Sequence, residues 1–322
     1  MMPLASYDPD YPDIQEFEHF VTSRCRQGSR GALSNSAPDA GCLYLPKSAL
    51  VEFFSDEDRL LRILRHVMPS PDNPGQSSAV FEHIKEGDYH KVLAILLLIG
   101  RGDAIKAFIE DPDLSDEKLP LDNPHKFPRQ ASDPAFFNEF CSHQWMFCVQ
   151  KLRYRPFVKL NANKILPYKI ERSLGQGTSS KALVITVDPE YNELFSSSVG
   201  RLYTENHVPP HVQPNTFVLK TFEKEIPDGK EQFDQELKSF ATLLHTGNDP
   251  NIVVFFGSFK HGDTFHILLE YANAGTLEEL MQKPPPTSPE DLYELWGALL
   301  QLLQALTTLH NLKFSPEDEG FM

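Results

Sequence analysis

Leu174-Gly175-Gln176-Gly177-Thr178-Ser179-Ser180-Lys181-Ala182 lies between two apolar, β-branched runs, Tyr168-Lys169-Ile170 ahead of it and Leu183-Val184-Ile185-Thr186-Val187 behind it. The pattern predicts strand, glycine-rich turn, strand. Without a Cβ at Gly175 and Gly177, such a hairpin can lay its backbone N–H groups over a phosphate. The same Gly-x-Gly spacing also serves a plain tight hairpin, so this stretch alone decides the local fold and not the chemistry.

The order of elements downstream carries more. Phe217-Val218-Leu219-Lys220 reads as an apolar strand ending in lysine. Residues 232–244 read as an amphipathic helix with Glu236 in its middle, and Phe240, Leu243 and Leu244 at helical spacing on the apolar side. Residues 251–259 and 264–271 read as two strands around a tight turn, and Gly275-Thr276-Leu277 opens a polar helix. Glycine-rich loop, strand lysine, helix glutamate, Asn251-Ile252-Val253 and Leu269-Glu270-Tyr271-Ala272 stand in the order that they have in eukaryotic protein kinases. Residues 168–310 therefore resemble the amino-terminal lobe, hinge and first carboxy-lobe helices of that family.

The resemblance implies an α+β fold, an antiparallel sheet plus one helix over 168–270, a hinge at 270–275, and the first helices of a helical lobe over 276–310. It implies ATP as the ligand, with Mg²⁺ accompanying it in the complete family domain. Lys220 matches the lysine that pairs the α- and β-phosphates, and Glu236 the glutamate that holds it there. Glu231, earlier on the same helix, is the alternative partner. Leu174, Gly175, Gln176 and Gly177 match the phosphate loop. Ser180 replaces the family's third glycine and Ala182 its valine, and a serine Cβ at that point makes the backbone approach less close. Val218 would pack on the adenine face, where the family more often has alanine. Leu269 would lie behind the base, with the Glu270 carbonyl and the Ala272 N–H as its hydrogen-bond partners.

Two departures accompany the resemblance. Residues 188–215 form a longer connection than kinases usually have between these strands, expected as a solvated loop. His261-Gly262-Asp263 superficially resembles a catalytic His-x-Asp, but Gly262-Asp263 is turn chemistry between two strands. The family's His-Arg-Asp segment and Asp-Phe-Gly are not found in these 322 residues, so the chain alone is expected to transfer no phosphate. Two functional readings follow: the ATP-binding half of a serine/threonine-directed protein kinase, or a non-catalytic nucleotide-binding or kinase-pairing module. A helix over 291–310, with Leu295, Leu299, Leu302, Leu303, Leu306 and Leu309 on its apolar side, is expected to expose that stripe.

Thirty Lys+Arg against 45 Asp+Glu give a net charge of −15, which disfavours nucleic acid or an anionic membrane as main partner. Four cysteines without Cys-x-x-Cys spacing, Cys25, Cys42, Cys141 and Cys148, fit buried thiols in a reducing compartment better than zinc or disulfides, and no metal site is expected. No secretory signal is visible, and the apolar run at 92–99 is too short to cross a bilayer, so an intracellular location is expected.

Residues 1–160 read as a mostly helical region. Helices are expected over 14–24, over 55–68 with Ser55 as N-cap, and as a pair over 78–87 and 88–99. Residues 27–41 and 111–130 read as loops. Phe136, Phe137, Phe140, Trp145, Met146 and Phe147 form an aromatic cluster that fits a core patch better than a ligand cage. No catalytic constellation stands out there, and what this region binds is not legible.

Overall fold

Leu60, Ile63, Leu64 and Val67 recur at helical spacing, and in the computed structural model they all turn inward on one helix, Glu57–Val67. The structure describes residues 11–31, 42–68, 74–129, 132–177, 180–196, 215–222, 228–246 and 251–311. It is a mixed α/β chain that divides into two units. Of the described residues, the helical unit takes those up to Ser29, from Cys42 to Gln150 and from Asn163 to Pro167; the sheet unit takes the rest.

The helical unit contains α1 (Pro12–Arg24), α2 (Lys47–Phe54), α3 (Glu57–Val67), α4 (Pro74–Lys85), α5 (His90–Leu98), α6 (Ile105–Ile109) and α7 (Pro134–His143). A short antiparallel pair joins β1 (Arg26–Gly28) to β2 (Cys42–Tyr44). The N-cap of α3 is Asp56, whose carboxylate accepts the Arg59 N–H at 3.0 Å. Ser55, the expected cap, instead closes α2, a helix that the sequence reading did not separate. Residues 92–97 of α5 are buried on every side, so this apolar run is the central helix of its unit.

Residues 111–130 are not the surface linker that their polarity suggested. Leu114, Leu121 and Phe127 are buried in the core, and Phe127 meets Phe108 edge-on with ring centroids 5.4 Å apart. Two polar side chains hold the segment. The buried Gln144 amide accepts the Leu121 N–H at 2.8 Å and donates to the Leu121 carbonyl at 3.1 Å. The Asp116 carboxylate accepts the N–H groups of Lys91 and Val92, at 2.8 and 2.9 Å, and so caps α5 from a distant segment. Polarity misled because these groups find partners far away in sequence.

The second unit is built on a six-stranded sheet in the order β4-β9-β10-β8-β6-β5, with β4 (Arg155–Leu160), β5 (Tyr168–Gln176), β6 (Lys181–Val187), β8 (Thr216–Phe222), β9 (Phe255–His261) and β10 (Thr264–Glu270). All pairs are antiparallel except β4 on β9. The sheet unit thus already takes Lys151–Ala162, and Asn163–Pro167 return to the helical unit. Gly257, at φ +142°, makes the extra pairing possible: a Cβ there would lie 2.5 Å from the Arg155 carbonyl. Helix α8 (Gly229–Thr246) turns Phe233 and Leu237 onto the sheet, where Phe222, Phe255, Phe265 and Ile267 complete a core. Two further helices, α9 (Leu277–Met281) and α10 (Pro289–His310), follow, and α10 leaves Leu302, Leu303, Leu306 and Leu309 exposed.

The start of the 188–215 connection is not solvated. Tyr191 and Leu194 are buried, and the Phe195 ring lies 5.8 Å from Phe217 and 5.2 Å from Phe256, on the side of the sheet away from α8. A two-residue parallel pair, β3 (Leu152–Arg153) with β7 (Asn192–Glu193), ties it down, and Glu193 bonds both Lys151 and Arg153. Residues 197–214 of that connection lie outside the described residues.

Two predictions follow from the helical unit. Burial raises the Asp116 carboxyl from 3.8 to about 6, outweighing the two N–H groups that favour its charged form. Protonation therefore favours the folded state, and this contribution is full below about pH 4 and lost as pH rises through about 6. Urea unfolding followed by far-UV circular dichroism should show Asp116→Asn gaining stability relative to the native chain between pH 4 and 7; a constant difference across that range contradicts the assignment. Gln144→Ala, which orphans both Leu121 backbone groups, should cost about 1–3 kcal/mol in the same measurement.

Candidate functional site

Cross-strand partners in an antiparallel sheet point to the same face. The register of β5, β6, β8 and β10 places Gly175, Ala182, Lys220 and Ile267 in one row. Two positions along, Arg172, Val184, Val218 and Leu269 form a second row on the same face. This is the face on which α8 packs through Phe222, Ile267 and Phe265. Beyond the helix, the two rows offer an apolar strip with Arg172 at its β5 edge and a second cation next to α8.

The cation next to α8 is Lys220. Its Nζ lies 2.5 Å from Glu236 Oε2 on α8, and both side chains stay about a quarter exposed. The Phe222 ring lies beneath the same ammonium, 5.3 Å from Nζ to centroid, a distance at which the ring's negative face attracts it. Glu236 reaches Lys220 because Phe233, Leu237 and Ala241 anchor α8 by its buried face and leave the next position toward the strand. Glu231 is on the exposed first turn, where its carboxylate accepts from Gln235. Phe222 was missed by sequence reasoning, although the two-residue period of the strand places it on the lysine side.

The glycine-rich hairpin is closed by the Gly177 N–H donating to the Ser180 carbonyl at 2.8 Å. Thr178 and Ser179 lie outside the described residues. A Cβ built on Gly175 would meet nothing within 4 Å, and one on Gly177 would come no nearer than 3.6 Å to Ser180. The Cβ positions of these two glycines are therefore uncrowded, and the Ser180 hydroxyl lies 3.9 Å from that of Gly177. Leu174 and Gln176 are exposed, while Ala182, Val218 and Leu269 are half-buried.

At the other end of the sheet, Glu270 is held by Val254 twice. The Glu270 N–H donates to the Val254 carbonyl at 2.9 Å, and the Glu270 carboxylate accepts the Val254 N–H at 3.1 Å. This fixes the course of the chain into Tyr271 and the exposed Ala272. Tyr271 Oη accepts a hydrogen bond from Arg172 Nη2 at 2.7 Å, a contact between residues 99 apart in sequence that no local pattern reveals.

His261-Gly262-Asp263 is the β9–β10 turn, with His261 opposite Thr264 and buried. On the face away from α8, His266 Nδ1 lies 3.1 Å from Thr221 Oγ1, and burial pushes the imidazole down to about 3, so it stays neutral at physiological pH. Burial also raises Cys141 and Cys148 to about 11, which disfavours their thiolate forms at neutral pH. Among the described residues, no group of three His, Cys, Asp or Glu side chains is placed to hold a metal ion. Among them, too, no helix is long and apolar enough to cross a membrane.

No family model matches the chain. Curated proteins match parts of it. Mitogen-activated protein kinase kinase kinase ANP1 of Arabidopsis thaliana is 38% identical over 77 residues, 24% of this chain and 11% of that protein. Dual specificity testis-specific protein kinase 1 of Mus musculus is 30% identical over 141 residues, 43% of this chain and 20% of that protein. The Rattus norvegicus protein of the same name matches to the same extent. The chain thus spans between 11% and 20% of the length of these relatives, and the partial similarity indicates a relationship to protein kinases.

Proposed function

We propose that residues 168–310 form the nucleotide-binding lobe (168–270), hinge and first carboxy-lobe helices of a protein-kinase-like domain and that its ligand is ATP. The observation that carries this reading is the Lys220–Glu236 pair, standing in the same register row as Gly175 and beside the apolar strip of Val184, Val218 and Leu269. A base needs an apolar surface, a polyphosphate needs a cation and N–H donors, and here the two lie on one sheet face, two residues apart. The open space over Gly175 fits close approach by phosphate oxygens. ATP, when bound, would supply the phosphoryl group for transfer to a protein serine or threonine, the reaction class that we assign to the complete domain.

Within that lobe each residue has a task. Val184, Val218 and Leu269 exclude water from the base. Gly175 and Gly177 let the backbone of the turn approach the phosphates, with the Gly177 N–H held by the Ser180 carbonyl, and Lys220 offsets their charge. Glu236 keeps Lys220 extended along the face when no phosphate is there. Its carboxylate also keeps the ammonium oriented, so that little side-chain ordering remains when the nucleotide arrives. The backbone of Glu270 and Ala272 would hold the edge of the base. Mg²⁺ would accompany the phosphates, and no ligand for it is assigned among the described residues.

Titration calorimetry of the 322-residue chain with Mg-ATP tests this. Lys220→Ala should weaken binding about 10- to 100-fold, the weight of a charge-assisted contact. Glu236→Gln should weaken it less, and Glu231→Gln not at all. The ion pair is partly exposed, so each change should alter unfolding free energy by about 1 kcal/mol or less. An affinity that Lys220→Ala leaves unchanged, or no heat of binding from the native chain, would refute the nucleotide assignment.

A further inference from the structure

The apolar strip that would receive the base is already spanned by a side-chain bond. Arg172 begins the row that continues through Val184 and Val218 to Leu269, and Tyr271 follows Leu269 by two residues. Paired strands lie about 4.8 Å apart, so β5 and β10 are three steps, roughly 14 Å, from each other. Only two long side chains reaching toward each other close that gap. Arg172 and Tyr271 do so, with Nη2 donating to Oη at 2.7 Å and the guanidinium 5.9 Å from the phenol ring centroid. Val184, the cross-strand partner of Arg172, is 3% exposed, while Arg172 itself is on the surface.

We propose that the Arg172–Tyr271 bond is a gate across this strip, so that a planar base reaches Val184 and Val218 only when the bond opens. The inference rests on the nucleotide reading for the identity of the ligand, and on the register alone for the gate. Neither residue belongs to the phosphate-binding set. Arg172 lies two residues before Leu174, and its partner lies just past the fixed Glu270, so the gate ties the strand that carries the glycine-rich turn to the segment that would hold the base edge. Opening it exchanges one solvent-accessible hydrogen bond for water, a cost that slows entry without preventing it.

The test reads the gate and the nucleotide separately. Val218→Cys places a thiol on the strip, and its reaction rate with a maleimide, followed by peptide mass spectrometry, reports access. In that background Tyr271→Phe, which removes only the hydroxyl, should speed the reaction about fivefold, and Arg172→Gln should do the same. In the otherwise native chain each change should tighten Mg-ATP binding to a similar degree, and the double variant should gain no more than either alone. Equal alkylation rates with and without the Tyr271 hydroxyl overturn the gate, and so does weaker ATP binding in both variants. Faster alkylation together with no ATP binding in any variant leaves the gate standing and removes the nucleotide reading.

Discussion

The two-residue period of β8 decides what the rest of the sheet unit must do. Phe217, Leu219 and Thr221 face one side, and Val218, Lys220 and Phe222 the other. The first side is sealed, with His266, Leu268 and Phe256 buried there and Tyr191 and Leu194 among the buried residues of the connection on that side. The second side is only partly covered, because α8 packs on Phe222 and leaves Val218 half-exposed and Lys220 partly so. A lysine at this point cannot be buried alone, since an unpaired charge in such surroundings is strongly disfavoured. Glu236 and the Phe222 ring answer that requirement together.

The accuracy of the ion pair comes from apolar packing rather than from the charges. Phe233 on α8 lies 5.6 Å from the Phe222 ring, 4.9 Å from Phe265 and 6.0 Å from Phe157. Aromatic contacts at these separations contribute beyond simple area burial. They hold the helix at one height along the strand, and one helical step up or down would carry Glu236 away from Lys220. The electrostatic contact is thus a consequence of where four phenylalanines meet, and its own contribution to stability is small.

The sheet was legible where the signal is local. Apolar runs marked β6, β8 and β10, and the resemblance to protein kinases, carried by the order of the elements, pointed to Lys220 and Glu236. Three features were not legible, and for one physical reason. β4 carries Pro156 and two basic residues and looks like no strand, but it pairs with β9 some hundred residues later, and Ser258 Oγ donates to the Pro156 carbonyl across that pairing. Residues 111–130 and 188–196 are polar chains whose order comes from Gln144, Asp116 and the Lys151 and Arg153 pair with Glu193. Arg172 and Tyr271 meet only because β5 and β10 stand at fixed positions in one sheet. In each case the partner is remote, and composition near the residue carries no trace of it.

The path of the chain between the two units has a consequence for how this protein can be divided. Strands β3 and β4 belong to the sheet unit, yet residues 163–167 return to the helical unit before β5 begins, and Arg30 and Gly31 belong to the sheet unit although helical-unit residues stand on both sides of them in sequence. Gly31 donates its N–H to the Ala162 carbonyl at 3.0 Å, and Ser29 and Leu166 exchange hydrogen bonds at 2.9 and 2.8 Å. No single break in the polypeptide yields one unit whole. A fragment starting at Tyr168 lacks the sheet's parallel edge strand, and one ending at Gln150 lacks the segment that pairs with Ser29. A cut at any one point therefore leaves at least one fragment without a segment that its unit uses.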